Sequence, residues 1–237
     1  MKRLHELASK HPRYGYRRLT NKLRRDGWRV NHKRVARLMR KEDLRVPTRT
    51  RKRQRLGSSE NSCSRRTPTR VNEVWTIDFV MDQTQDGRRL KILPIIDEFS
   101  RCCHSILVGR SLTGTNVLVE LERLMTIHGA PGFIRCDNGP EFIASAVLGF
   151  LAQAGVETLF IAPGSPWENG YAESFMSRFR DELLNLEVFS SRREAEVLIE
   201  RYRREYNHER PHSSLGYLTP AEFLGQHATL AAGIPSS

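Results

Sequence analysis

The chain has 237 residues, of which 38% are apolar and 28% are charged, and its formal net charge is +12. This length accommodates one domain of ordinary size and a smaller one. No run of eighteen apolar residues predicts a membrane span, and the N-terminal segment lacks the apolar region of a signal peptide, so we expect a cytoplasmic protein. The four cysteines have no C-x-x-C or zinc-site spacing, which favours free thiols.

The charge is divided unevenly along the chain. Residues 1–70 contain 24 Lys and Arg against 5 Asp and Glu, a net charge of +19. Residues 71–237 contain 15 against 22, a net charge of −7. A basic arm before an acidic body is typical of a protein in which one module binds phosphates and another gathers metal cations. A solvated basic tail is the alternative, but this arm carries a helical periodicity that a tail does not need.

Residues 1–46 predict two or three short helices. Residues 17–25 and 32–42 have helical apolar spacing, a glycine-containing turn lies between them, and Asn31 is a candidate N-cap for the second helix. This order predicts a helix-turn-helix domain whose second helix enters the major groove of DNA. The outer face of that helix carries four candidate DNA-binding cations, namely Lys33, Arg34, Arg37 and Arg40. A helical hairpin that is merely basic is the alternative.

Residues 47–70 are polar and basic, and they predict a flexible linker because they contain too few large apolar side chains to form a core. A second, larger domain is predicted over residues 71–185. It begins with three β-rich runs close enough for an antiparallel meander, over residues 73–80, 90–96 and 103–108. Pro94, inside the second run, indicates a bulge or an edge strand.

Helices and strands alternate after the meander. We predict helices over residues 115–128, 142–154, 169–185 and 192–209, and strands over residues 132–136 and 156–161. This order predicts an α/β fold, a mixed sheet flanked by helices. Residues 186–237 are expected to complete the core with a helix and a tail, and no strong pattern follows Ala221.

Three acidic residues fit a metal site for phosphodiester chemistry. Such chemistry needs cations positioned on the attacking and leaving oxygens, held by carboxylates from different elements. Asp78 interrupts an apolar strand, Asp137 follows the strand FIRC, and Glu173 lies one turn into a helix. Each has an ordinary alternative: a strand-edge residue, an Asx-turn and a solvated helix charge, respectively. Only their joint pattern favours a site.

The spacing of the last two acids and the words around them carry a family resemblance. Asp137 and Glu173 are separated by 35 residues, which resembles the DD(35)E signature of retroviral integrases and related transposases. The motifs HPRYGYRRLTNKLRRDG, VWTIDFV, IIDEFSR, CDNGPEF, PGSPWENGYAESF and YNHERPHSSLGYLTPAEF resemble the second-frame (OrfB) transposase of the IS-three group of bacterial insertion sequences. The resemblance covers residues 11–224.

The resemblance implies an RNase H-like core in which Asp78, Asp137 and Glu173 hold two Mg²⁺ or Mn²⁺ ions. It implies DNA strand cleavage at the ends of an element and attack of the freed 3′-hydroxyl on another strand. Arg180, seven positions after Glu173, is implied to hold a DNA phosphate. The implied partners are element and target DNA, a first-frame protein or fusion, and further copies of the chain in a dimer or larger assembly on DNA. Such a protein is cytoplasmic and associates with the nucleoid when active.

Some features depart from the family or are set aside. Met1 comes late relative to the family pattern, which predicts a truncated chain or the downstream part of a frameshifted product, and a retroviral His/His/Cys/Cys zinc domain is missing. Among other acids, Glu168 is expected at a helix entrance, Asp97 as a turn former or a partner of Arg101, and Glu141 in a supporting role. A terminal motif for packing or DNA contact is predicted at His208, Arg210 and His212.

Two other functions remain open from the sequence. One is a DNA-binding protein without chemistry, such as an inhibitor made from a fragment of an element. The other is a plain nuclease of the RNase H type, which has less need of a long basic arm.

Overall fold

The computed structural model describes residues 1–44, 46, 66–161 and 170–232. Most of the predicted linker, together with Cys63 and Glu168, therefore lies outside the described residues. The chain divides into two compact units, Met1–Arg66 and Thr67–Ser237. The finer domain boundaries given above stay predictions. Within the described ranges, no helix is long and apolar enough to cross a membrane.

The described residues of the first unit form three helices, which are α1 (Lys2–Lys10), α2 (Tyr16–Arg25) and α3 (His32–Lys41). The Asn31 side chain caps α3 as predicted, since its Oδ1 accepts the backbone N–H of Lys33 at 2.8 Å. Gly27 has a φ of +85°, which allows the tight turn between α2 and α3. Seven buried side chains form the core, namely Leu4, Leu7, Tyr14, Leu19, Leu23, Val35 and Met39.

The second unit contains six strands and five α-helices in its described residues. The strands are β1 (Val74–Ile77), β2 (Val80–Gln83), β3 (Arg89–Asp97), β4 (Cys103–Gly109), β5 (Phe133–Cys136) and β6 (Glu157–Phe160). The helices are α4 (Gly114–His128), α5 (Ser145–Gln153), α6 (Gly170–Phe179), α7 (Arg192–His208) and α8 (Pro220–Ala232). A π-helical turn (Arg180–Leu184) continues α6.

All six strands belong to one mixed sheet. The long strand β3 pairs antiparallel with β1, β2 and β4, while β1 pairs parallel with β5 and β5 with β6. Apolar side chains of α4 and α5 pack on one face of the sheet, and those of α6 and α7 pack on the other. The predicted mixed sheet with flanking helices is therefore confirmed.

The strand predicted over residues 73–80 is wrong in one respect, because it breaks at Asp78 and Phe79. The register of β1 and β2 against β3 is the same, and continuing it places Asp78 opposite Pro94. Glu98 donates its N–H to the carbonyl of Val74. In an antiparallel pair every second residue makes such a bond, so the residue at position 94 would donate its N–H to the carbonyl of Asp78. Proline has no N–H to donate, which explains the break. Pro94 itself marks neither a bulge nor an edge: it pairs in register with Ile106 of β4, β3 has partners on both sides, and the register against β4 shifts only between Ile95 and Ile96.

Helix α8 is a second departure, since no pattern was expected after Ala221. Its signal was in the sequence TPAE. The backbone N–H of Thr219 donates to Glu222 at 2.7 Å, and the N–H of Glu222 donates to the Thr219 hydroxyl at 3.2 Å. This is a capping box with proline at the first helical position, both of which favour a helix start.

Three of the four cysteines lie in described residues. Cys102, Cys103 and Cys136 are free thiols, as predicted. Cys103 and Cys136 are buried, whereas Cys102 is half-buried, and burial raises the pKa of all three thiols. They are therefore kept protonated at neutral pH and act as small apolar side chains.

Candidate active site

Asp78 and Asp137 follow the ends of two neighbouring parallel strands. β1 pairs with β5 with Thr76 opposite Arg135, and continuing this register places Asp78 opposite Asp137. Neighbouring strands are about 4.8 Å apart, and residues opposite each other project from the same face of a sheet. The fold therefore brings the first two predicted carboxylates side by side at one edge of the sheet.

Glu173 reaches this region from a helix. It lies in the first turn of α6, on the exposed side, where the positive end of the helix dipole stabilises a carboxylate. The buried side of α6 packs on α7, with ring centroids 4.9 Å apart for Phe175 and Tyr206 and 5.2 Å apart for Phe179 and Tyr202. This aromatic contact fixes the rotation of α6 and so the direction in which Glu173 points.

The electrostatics of Asp78 show that the three carboxylates share one region. Burial, together with the charges of Asp137 and Glu173, raises the pKa of Asp78 to about 6. A hydrogen bond from the Phe79 N–H to the carboxylate opposes the shift. Like charges this close repel each other, and a bound cation removes the repulsion.

The donor set fits a divalent ion such as Mg²⁺ or Mn²⁺. All three side chains offer carboxylate oxygen, the hard ligand that these ions prefer. A half-buried Asp78 beside an exposed Asp137 and an exposed Glu173 also leaves space for the water ligands that Mg²⁺ keeps.

The loop after β5 aligns the Asp137 carboxylate. The backbone N–H of Gly139 donates to Asp137 Oδ1 at 3.0 Å. A Cβ atom on Gly139 would lie 2.9 Å from the same oxygen, so glycine is the residue that allows this close approach. Glycine at position 139 therefore helps to set the position of the Asp137 carboxylate.

A lysine that the sequence analysis missed lies next to this loop. Lys91, on β3, forms an ion pair with Glu141, and its Nζ lies 4.0 Å from the ring centroid of Phe79. The Lys91 hydrogen bond lowers the pKa of Glu141. Lys91 and Glu141 also line an open cleft of about 430 Å³. The supporting role expected for Glu141 stays a prediction, and its ion-pair partner is Lys91.

Asp97 does not face the site. It is buried at the end of β3, where it accepts hydrogen bonds from the N–H and hydroxyl of Ser100, both at 2.7 Å, and from the N–H of Asn72 at 2.8 Å. Asp97 is thus a turn former, as one of the two expectations had it. Arg101 instead donates to the carbonyl of Glu98 and lies over the Tyr171 ring, 3.8 Å from its centroid.

The predicted DNA-contact residues are all exposed. Arg180 lies seven residues after Glu173, which is two helical turns, and so on the same side of the helix. The four cations of α3 are also exposed, on the side opposite buried Val35 and Met39. Exposure is what contact with DNA requires, and the contacts themselves stay predictions.

The terminal motif packs inside the second unit. Arg210 and Glu182 form a buried, two-bonded ion pair with both N–O distances at 2.7 Å. His212 is buried as well, and one of its ring nitrogens lies 3.3 Å from the carbonyl oxygen of Tyr206. Of the two roles left open, Arg210 and His212 have the packing role, while His208 is exposed.

The chain matches three known domain families. Residues 1–53 match an HTH-like domain, and residues 68–166 and 154–220 match two families described as integrase core domain. Over 68% of this chain, the fold is similar to the catalytic core domain of BIV integrase, with a TM-score of 0.52, 18% identity and 99% of that domain covered. This likeness supports the RNase H-like fold expected from the sequence.

Relatives at higher identity come from bacterial insertion elements. A 31.7 kDa protein of insertion element IS407 from Burkholderia multivorans is 41% identical over 97% of this chain and 82% of its own length. The transposase of IS904 from Lactococcus lactis is 32% identical over 89% of this chain and 87% of its own length. A 39.2 kDa protein of IS476 from Xanthomonas euvesicatoria is 39% identical over 97% of this chain, which spans 66% of that protein. The chain therefore belongs to the insertion-sequence transposases with an integrase core, the DDE-type polynucleotidyl transferases that its sequence resembles.

Proposed function

We propose that the chain cleaves and joins DNA strands in transposition, with Asp78, Asp137 and Glu173 as the ligands of two Mg²⁺ or Mn²⁺ ions. The observation that carries this proposal is the continued register of β1 and β5, which sets Asp78 opposite Asp137. The charge of Glu173 is among the causes of the raised pKa of Asp78, which supports placing Glu173 in the same region. Carboxylates converging from two strand ends and a helix are the arrangement that two-metal phosphodiester chemistry requires.

Each part of the site has a distinct task. Bound divalent ions supply Lewis acidity to the attacking and leaving oxygens. Asp78 and Asp137 are placed side by side because each directly follows one of two paired strands, and the N–H of Gly139 aligns Asp137. Arg180 projects from the side of the helix that carries Glu173, where its guanidinium can hold a DNA phosphate.

DNA recognition is assigned to the first unit. Its α3 would enter the major groove, with Lys33, Arg34, Arg37 and Arg40 contacting bases or phosphates. The match to an HTH-like domain and the net charge of +19 over residues 1–70 support this assignment. We further propose that the chain works in the bacterial cytoplasm on nucleoid DNA, with a first-frame protein or fusion and as a dimer or larger assembly.

The test compares single carboxylate variants with the wild-type protein. The substrate is a labelled duplex carrying one end of the encoding element, with a plasmid target and the first-frame protein supplied. Asp78→Asn and Glu173→Gln should abolish nicking and strand transfer in Mg²⁺ and in Mn²⁺, because each removes a metal ligand. DNA affinity should be unchanged.

Glu187→Gln is the matched control, since Glu187 is exposed and lies outside the trio. It should transfer strands as the wild type does. Full strand transfer by Asp78→Asn would refute the metal site. Wild-type protein that binds the duplex but never cuts it would favour the DNA-binding protein without chemistry, and cutting without preference for element ends would favour a plain nuclease.

A further inference from the structure

We propose that Lys91 is a positioning residue that fixes Asp78 and Asp137 relative to each other, because its ammonium group joins Phe79 to Glu141. This inference rests on the proposed function in taking the two aspartates as metal ligands. Lys91 acts through its contacts with Glu141 and Phe79, which belong to the two backbone segments that carry the carboxylates.

The surroundings of Lys91 hold its ammonium group in one place. The side chain is only 14% exposed, and that of its ion-pair partner Glu141 is 21% exposed. The Nζ atom also lies 3.5 Å from the carbonyl oxygen of Leu112. Lys91 is the single lysine of residues 71–237, where the other 14 cationic side chains are arginine. A compact ammonium suits a site that must meet a ring face and a carboxylate together.

The first segment under this control contains Asp78. Phe79 follows Asp78 directly, and its N–H donates to the Asp78 carboxylate. The Phe79 ring stacks on Phe142 with centroids 5.0 Å apart and an interplanar angle of 13°. Lys91 lies over the Phe79 ring as well. The ring therefore has neighbours that restrict its motion, and the peptide that bonds Asp78 is restricted with it.

The second segment contains Asp137. Glu141 and Phe142 end the short loop that begins at Asp137, and Phe142 donates its N–H to the carbonyl of Gly139 at 2.9 Å. The Lys91–Glu141 ion pair and the Phe79–Phe142 stack therefore connect the loop that carries Asp137 with Lys91 and with the residue after Asp78. Phe142 is 2% exposed, so the loop is anchored in the core on this side.

The chemical consequence concerns metal affinity. Groups that orient a ligand without touching the ion change metal affinity by about 10- to 100-fold when removed. Lys91→Met keeps the apolar stem of the side chain and removes the ammonium, which releases both segments. We therefore expect the Mg²⁺ concentration for half-maximal strand cleavage to rise about tenfold or more.

The experiment measures that midpoint, together with direct Mn²⁺ binding to the full chain by calorimetry. Lys91→Met should weaken Mn²⁺ binding and raise the Mg²⁺ midpoint, with the urea unfolding midpoint reported for the same sample. Lys91→Arg should be intermediate, because it restores the charge in a different shape. Glu141→Gln retains the side-chain shape and the Lys91–Phe79 contact, and it should give a smaller shift than Lys91→Met.

The outcomes separate this inference from the proposed function. If Asp78→Asn loses Mn²⁺ binding while folded Lys91→Met keeps wild-type Mn²⁺ affinity and Mg²⁺ midpoint, the positioning role of Lys91 is refuted and the metal site stands. If Asp78→Asn itself binds Mn²⁺ as the wild type does, the metal site is refuted. Should Lys91→Met fail to fold, Glu141→Gln decides: an unchanged midpoint in that variant overturns the inference.

Discussion

The cations of α3 and the carboxylates at the ends of β1 and β5 are both charged groups that we propose to act on DNA, yet the fold holds them differently. The α3 cations lie on the exposed side of the helix, whereas the packing of α3 depends on buried side chains of the opposite, apolar side. Asp78 and Asp137 depend on the register of paired strands, and Asp137 also depends on Gly139. DNA affinity depends on the number and the exposure of cationic side chains, whereas metal-dependent chemistry depends on carboxylates that the backbone holds in fixed positions. Substitutions should therefore act by degrees in the first region and sharply in the second.

The largest effect on stability is expected at the buried Arg210–Glu182 ion pair. The two side chains are 4% and 6% exposed, so Arg210→Met leaves a carboxylate buried without its partner. We expect a loss of about 3–5 kcal/mol in the free energy of unfolding, measured by urea denaturation. The control is Arg192→Met, which breaks an ion pair whose side chains are 55% and 35% exposed, and it should cost less than about 1 kcal/mol. Equal losses would remove the distinction between fixed and exposed charge.

Gly139→Ala should lower the strand-cleavage rate by about 10- to 100-fold, because the new Cβ would displace the Asp137 carboxylate and small misplacements cost that much. The unfolding free energy should change little. Gly149→Ala is the matched control: nothing lies within 4 Å of a Cβ there, and alanine is the better helix former. A wild-type cleavage rate for Gly139→Ala would show that the loop position of Asp137 is not critical.

A pH effect is expected from His104, which is buried between Trp75 and His128 at centroid distances of 4.8 and 4.2 Å. Burial lowers its pKa to about 3, helped by His128 and Arg203. The unfolded chain takes up this proton near pH 6.5, so stability should fall as the pH drops from there toward 3, by up to about 1.4 kcal/mol per pH unit.

His104→Phe should flatten this dependence in urea titrations at pH 4 to 8, while His208→Gln, at an exposed position, should leave it as in the wild type. An unchanged slope in His104→Phe would assign the acid sensitivity to other groups.

The smallest effect is expected from one cation of α3. Arg37→Ala should weaken DNA binding a few-fold and reduce the slope of log affinity against log salt by about 0.9 if it removes one phosphate contact. Cleavage at saturating DNA should not change. Lys2→Ala, an exposed cation of α1, is the control. An equal loss in that variant would indicate a general charge effect and contradict a surface defined by α3.

The sequence predicted the parts of the site that local pattern determines. Asp137 follows a short apolar strand, and Glu173 lies in a helix with a strong apolar side, so both positions could be read from spacing and motif. The strand break at Asp78 could not, because it depends on which residue of β3 lies opposite, and pairing register is not encoded locally. The sequence showed Pro94 within a strand, but only the pairing of β3 with β1 and β2 in the sheet shows that Pro94 lies opposite Asp78.

Lys91 was missed, and the choice between packing and DNA contact at Arg210 was left open, for a related reason. Their partners, Glu141 and Glu182, are distant in sequence, and a single charged residue in a strand or after a helix normally indicates solvent. Helix α8 is a different failure, since its capping box was readable in the sequence. Long-range pairing limited the first two predictions, and an overlooked local rule limited the third.

The gap between β1 and β2 leaves Asp78 and Phe79 between two strand segments that share one register. Side-chain contacts of the Phe79 ring with Phe142 and Lys91 hold the backbone at this position. The aim of the first carboxylate thus depends on packing around one aromatic ring, and changes to that ring should move Asp78 while the strands on either side stay paired.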